Sequence, residues 1–187
     1  MPIIRARQGH EYLKQDGITP RTASVVAAQL HDLIDLLEPV LAHRPFLLGE
    51  RPCEADFGLF GPVFRHFSVD PTPAAILRDR APNLLAWTAR LWALRPPGLE
   101  GQPDIVHVPP DLTPLLGRIG ESYLPYLAAN ARALTAGQKQ VRYSDGGVTW
   151  QVPTSPYRGA CLDAILTDYS DLSHEDQAWI TGALGGA

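Results

Sequence analysis

Apolar positions fall into a helical rhythm soon after the start of the chain. Thr19-Pro20 offers a hydroxyl cap followed by proline at a first helical position. Apolar residues then recur at Ala23, Val26, Ala27, Leu30, Leu33, Ile34, Leu37, Val40 and Leu41. This three-four spacing predicts an amphipathic helix that His43-Arg44-Pro45 ends. From Glu54 to Phe67 the rhythm gives way to a nearly unbroken apolar run with Phe57, Leu59, Phe60, Val63, Phe64 and Phe67. Such a run predicts a helix buried on all sides, stopped by Asp70-Pro71-Thr72-Pro73. A short helix is expected over 74–79. Pro82 opens another, with Leu84, Leu85, Trp87, Leu91 and Leu94 as its apolar side, and Pro96-Pro97-Gly98 ends it.

From Asp111 the pattern is helical again to about Leu134. The period then changes to two. Val141 and Tyr143 alternate with Arg142, and Val148, Trp150 and Val152 alternate with Thr149 and Gln151, on either side of Ser144-Asp145-Gly146-Gly147. A two-residue turn at Asp145-Gly146 predicts a hairpin pairing Tyr143 with Val148 and Val141 with Trp150, with all four on one face. An isolated hairpin is marginal in water, so that face must pack on helices. Ser155-Pro156 and Ser173-His174-Glu175-Asp176 each begin a final helix. The expected fold is all-α, a helical bundle with one small β-hairpin near 141–152. Its expected parts are an N-terminal segment (1–18) packing on the bundle, a helical core (19–95), a proline-rich connection (96–110) and a helical extension with the hairpin (111–187).

Composition narrows the function classes. Sixteen basic residues stand against twenty acidic ones, for a net charge of −4, which argues against a surface for nucleic-acid phosphates. Two cysteines, Cys53 and Cys161, form no disulfide framework and no CxxC pair, as expected in a reducing cytoplasm. There is no apolar run of membrane-spanning or signal length, so no membrane role is expected. The six histidines lack metal-ligand spacing, and neither a phosphate-cradling glycine loop nor a nucleophile elbow occurs. No metal or cofactor is expected.

The stretch Pro45-Phe46-Leu47-Leu48-Gly49-Glu50-Arg51-Pro52-Cys53-Glu54-Ala55-Asp56-Phe57 resembles a motif of the all-helical C-terminal domain of glutathione S-transferases. With Asp70-Pro71 and Ala81-Pro82 … Ala86-Trp87, the resemblance runs from about Thr19 to Leu94. A weaker resemblance, over Tyr123–Asn130 and Ser155-Pro156-Tyr157 … Cys161-Leu162, is to the C-terminal extension of some bacterial members. The resemblance implies that Asp56 caps a central helix. Cys53 stands where the family has serine or threonine, so the cap should be weaker. It also implies a thioredoxin-like half carrying the glutathione site. The 44 residues before Pro45 read mostly as one helix and offer no such half. No glutathione residue is carried over; what is implied is an apolar second-substrate pocket.

The candidates for chemistry lie mostly in the second half of the chain. Tyr123, Tyr126 and Asn130 share one helix face. They form either an interior seam or a pocket wall in which phenols donate to a substrate carbonyl or enolate and the amide orients it. Arg65 and His66, near the end of the apolar helix, are either a solvated end or an anion anchor and proton carrier. Tyr157, Arg158 and Cys161 form a further near-helical set, with Cys161 read as a packed small hydrophobe rather than a nucleophile. The expected catalytic residues are thus Tyr123, Tyr126 and His66. Arg65, Asn130, Tyr157 and Trp150 are expected to bind substrate.

The leading expectation is a glutathione-independent enzyme working by isomerisation, cyclisation or elimination on an apolar or aromatic small molecule. Two alternatives stand beside it. One is a non-catalytic binder of a hydrophobic ligand. The other is an interaction subunit whose exposed apolar face takes a thioredoxin-like partner or a second copy, or is covered by the N-terminal segment with Ile3, Ile4, Tyr12 and Leu13. A large uncovered apolar patch would favour the interaction subunit.

Overall fold

The computed structural model describes residues 9, 12–95, 99–103, 105 and 107–185. In chain order the main elements are α1 (Ala23–His43), α2 (Glu54–Pro62), α3 (Pro71–Arg80), α4 (Pro82–Ala93), α5 (Thr113–Arg118), α6 (Leu124–Thr135), β1 (Gln140–Asp145), β2 (Val148–Pro153), α7 (Pro156–Asp171) and α8 (His174–Ala183). The fold is all-α with one antiparallel two-stranded hairpin. A π-helical turn, Val63–Phe67, continues α2, and another, Ile119–Tyr123, joins α5 to α6. The second turn ends just before Pro125, which has no N–H to continue the ordinary ladder. No helix of the described residues is long and apolar enough to cross a membrane.

The chain divides into two compact units, Leu30–Leu115 and Met1–Gln29 with Leu116–Ala187. The Leu30–Leu115 unit has one continuous core. Ile34, Leu37 and Val40 of α1 meet Val63, Leu77, Leu84 and Trp87 there, all essentially without solvent exposure. Two polar devices fix the helix ends. The Glu38 carboxylate accepts from the backbone of Asn83 and Leu84, at 2.9 and 3.0 Å, and so caps α4, whose own N-cap residue Ala81 has nothing to offer. Arg44 donates to the Leu47 carbonyl at 2.8 Å and grips Asp111 with two bonds of 2.7 and 2.8 Å.

The all-round burial expected of the run Glu54–Phe67 is not observed. Only Asp56 and Val63 are buried, and Phe57 is 54% exposed. Leu59, Phe60 and Phe67 pack partly against the core. An all-apolar helix has no preferred inner face, so what packs on it decides how much is covered.

In the other unit, α1 starts at Ala23 after a turn in which the Thr22 N–H meets the Thr19 hydroxyl at 3.2 Å and the Thr22 hydroxyl donates to the Gly17 carbonyl at 2.8 Å. The expected hairpin register is wrong by two residues. Tyr143 pairs with Trp150, Val141 with Val152, and Asp145 with Val148, and the turn is Gly146-Gly147. Both glycines have positive φ, 59° and 72°. A tight turn of this kind needs two such residues, and Gly-Gly meets that need at no steric cost. Because the slip is an even number, the apolar residues stay on the expected face. That face joins Val141 and Val152 to Ala133, with Tyr126, Ala129 and Tyr143 packed against them. Gly120 passes so close to α8 that an added Cβ would lie 2.0 Å from the Leu184 carbonyl oxygen. Of the N-terminal segment expected to cover an apolar face, Ile3 and Ile4 lie outside the described residues, and Tyr12 and Leu13 are exposed.

Candidate functional site

Asp56 sits at the third position of α2, fully buried. One carboxylate oxygen accepts from the Leu47 N–H at 3.0 Å and from Trp87 Nε1 at 2.8 Å. The other accepts from the Cys53 N–H at 2.9 Å and the Cys53 thiol at 3.2 Å. Four donors from three residues converge on it, which is the arrangement of a structural acceptor rather than of a reacting group. Burial, with the Asp56 carboxylate adding, pushes the Cys53 thiol above its ordinary value and away from the reactive thiolate.

Arg65 and His66 lie in the same unit, on the exposed side of the π-helical turn. His66 stands 3.6 Å from Asp70, both largely solvent-exposed. Close by, an aromatic ladder climbs out of the core. Buried Trp87 meets Phe60 edge-on at 6.4 Å, Phe60 stacks on Phe64 at 5.2 Å, and Phe64 stacks on Trp92 at 4.7 Å. Trp92 is 65% exposed. It stands off the apolar side predicted for α4, so the pattern gave no reason to single it out.

The remaining candidates gather in the other unit, where a second ladder runs from buried Trp150 through Tyr143 and Tyr126 to Tyr123, with centroid separations of 6.2, 4.7 and 6.5 Å. Trp150 Nε1 donates to the Asp145 carbonyl at 3.1 Å. Asn130 is fully buried. It donates to the Ser155 carbonyl and accepts from the Ser155 N–H, both at 2.9 Å, so its amide is committed to fixing the start of α7. Burial, with Tyr126 and Asp145 adding, pushes the Tyr143 phenol up to about 12. At the far end, Arg158 donates to the Tyr123 hydroxyl at 3.1 Å and lies 5.9 and 6.0 Å from the Tyr123 and Tyr157 ring centroids. Burial works against the Arg158 charge, but Tyr123, Tyr126 and Cys161 outweigh it and hold the guanidinium above its ordinary value.

The structure thus brings Tyr123, Tyr126 and Trp150 into one ladder and ties Tyr157 to it through Arg158, while Asn130 serves the backbone. Two open clefts border the hairpin. One of about 510 Å³ is lined by Lys14, Gln15, Thr19 and Gln151 among others, and one of about 420 Å³ by Arg132, Gln138, Arg142 and Gln151 among others. Tyr123, Tyr126 and Asn130 line neither. Among the described residues no group of acidic, histidine and cysteine side chains could hold a metal ion.

Residues 7–90 match the family model described as glutathione S-transferase, C-terminal domain. The match spans the motif Pro45–Phe57 and most of the Leu30–Leu115 unit. No curated protein and no solved structure gave a match to the chain. Within the matched part, Cys53 is the N-cap residue of a reciprocal capping box with Asp56. Its thiol donates to Asp56, and the carboxylate supplies the acceptor for the Cys53 N–H.

Proposed function

We propose that the chain supplies the helical half of a transferase-like assembly and that a thioredoxin-like polypeptide seats on the exposed aromatic end of the Leu30–Leu115 unit. The observation that carries this reading is the ladder Phe60–Phe64–Trp92 with its neighbour Phe57. Phe57, within the residues that match the transferase helical domain, and Trp92, two residues beyond them, are both more than half exposed. An exposed tryptophan held in a fixed stack is the kind of residue that carries binding energy at protein interfaces. The test is titration with a separately produced thioredoxin-like half of a glutathione S-transferase, followed by tryptophan fluorescence and sedimentation. A one-to-one complex is expected, weakened about thirtyfold or more by Trp92→Ser, as for a central aromatic anchor. No complex, or a homodimer of the chain that Trp92→Ser dissolves, overturns the proposal.

A second reading keeps the expected small-molecule chemistry but narrows its seat. With Asn130 bound to Ser155 and Tyr126 packed on Tyr143, the group left for acid–base work is the Tyr123 phenol beside Arg158. A phenol next to a fixed cation can donate to an oxyanion that forms during isomerisation or elimination. Native mass spectrometry of the gently isolated protein tests this reading. A bound apolar or aromatic molecule that is lost in Tyr123→Ala supports it. A bare chain, or an unchanged load in the variant, counts against it.

A further inference from the structure

The start of α7 holds a cation whose partners are unusual. Arg158 is part-buried, and among the described residues no carboxylate pairs with it. Its contacts are the Tyr123 hydroxyl and the faces of the Tyr123 and Tyr157 rings. A guanidinium has five N–H donors, and one is used here. A ring face attracts a cation only weakly at an exposed site, while a carboxylate engages the planar fork with two parallel charge-assisted bonds. Tyr157 is 73% exposed, so its ring projects beside the guanidinium and is open to contact. A cation with unused fork donors, a phenol able to switch from acceptor to donor, and an open aromatic face therefore stand together.

We infer that Arg158, Tyr123 and Tyr157 form a subsite for a small aromatic carboxylate. The guanidinium takes the two carboxylate oxygens, the Tyr123 hydroxyl turns its proton toward one of them, and the Tyr157 ring stacks on the ligand's ring. This arrangement selects against amines, which Arg158 repels, and against neutral alcohols, which leave the fork unpaired. The inference rests on the small-molecule reading of the Tyr123–Arg158 pair. It involves no residue of the Leu30–Leu115 unit and does not depend on a thioredoxin-like partner.

The test is calorimetric titration of the full chain with benzoate and cinnamate, with benzyl alcohol, benzylamine, acetate and inorganic phosphate as comparators. Cinnamate and benzoate are expected to bind at least about tenfold more tightly than benzyl alcohol or acetate. Arg158→Gln should weaken them by about tenfold or more. Arg158→Lys should recover only part of the loss, because a point charge cannot make the bidentate contact. Tyr157→Ala should lower cinnamate affinity while leaving the weak acetate binding unchanged. Near-ultraviolet circular dichroism of each variant reports an intact fold, and Tyr157→Ala, at an exposed ring, serves if Arg158→Gln unfolds. Equal affinity for benzoate and benzyl alcohol, tighter binding of phosphate than of benzoate, or unchanged cinnamate affinity in both Arg158→Gln and Tyr157→Ala overturns the inference. A neutral aromatic such as 1-naphthol that binds in a Tyr123-dependent way while benzoate does not would sink the inference and spare the small-molecule reading. Loss of both would sink the two together.

Discussion

The two units each raise an aromatic ladder from a buried tryptophan whose indole N–H is already bonded, and the ladders end differently. In Leu30–Leu115, Trp87 is held by the Asp56 carboxylate and the rungs above it are phenylalanines ending in exposed Trp92. In the other unit, Trp150 is held by the Asp145 carbonyl and the rungs are tyrosines ending beside Arg158. Ring contacts with centroids 4.7–6.5 Å apart build both ladders. What a ladder presents at its tip decides what it can meet. A hydrocarbon tip asks to be removed from water by another apolar surface. A part-buried phenol–guanidinium tip discriminates by charge and hydrogen bonding. The anchors differ as well. A buried carboxylate with four donors makes the first ladder depend on one side chain, whereas the second leans on backbone.

The largest expected effect breaks the first ladder at its root. Asp56→Ala strands the Leu47 N–H and the Trp87 indole in the core and removes the partner of the part-buried Cys53 N–H, and should cost about 2–6 kcal/mol at roughly 1–3 kcal/mol per buried unsatisfied donor. Urea denaturation gives the size. Hydrogen exchange should place the loss in α1, α2 and α4, and a loss spread evenly over both units would contradict the account.

Next comes the frame of the second ladder. Asn130→Ala leaves the Ser155 N–H without its partner, while the Ser155 carbonyl keeps the Gly159 N–H, and should cost about 1–3 kcal/mol. Unlike Asp56→Ala, it should leave exchange in α4 unchanged.

A pH test sharpens the comparison at smaller scale, because only the second ladder contains titrating rungs. The Tyr143 phenol is raised to about 12 in the folded chain from an ordinary value of 10.0. Between those values the unfolded chain binds fewer protons than the folded one. The stabilisation is therefore fully present below pH 10 and is lost as pH rises through about 12. Tyr143→Phe should flatten the fall in stability over this window relative to the parent chain. Parallel curves for the two proteins would remove Tyr143 as the cause.

The smallest effect concerns a contact outside both ladders. The Arg44 guanidinium, bonded to Asp111, holds that carboxyl below its ordinary value. Its contribution is present above the usual carboxylate range and is lost as pH falls through the lowered folded value. The carboxylate is 44% exposed, so Asp111→Asn should cost no more than about 0–1 kcal/mol at neutral pH. Thermal melts at low and high salt measure it, and a cost above about 2 kcal/mol would mean the pair does more than a surface ion pair can.

Much of this architecture was determined by the sequence alone, because it depends on neighbours in the chain. The helix spacing before Pro45, the proline starts at Pro82 and Pro156, the Ser155 and Ser173 caps, the alternation around Gly146-Gly147 and the transferase-like motif with Asp56 are all local patterns. Local backbone energetics suffice to read them. The hairpin register, two residues from expectation, is also local, since the Gly146-Gly147 pair takes the turn. The tertiary structure decided two things that no local pattern contains. It left Phe57 and Trp92 exposed, because burial depends on what packs against a helix and not on how apolar the helix is. It committed Asn130 to Ser155 and set Arg158 on Tyr123, across 25 and 35 residues of chain. Which polar groups meet over such separations follows from how the elements pack, and spacing along the sequence carries no trace of it.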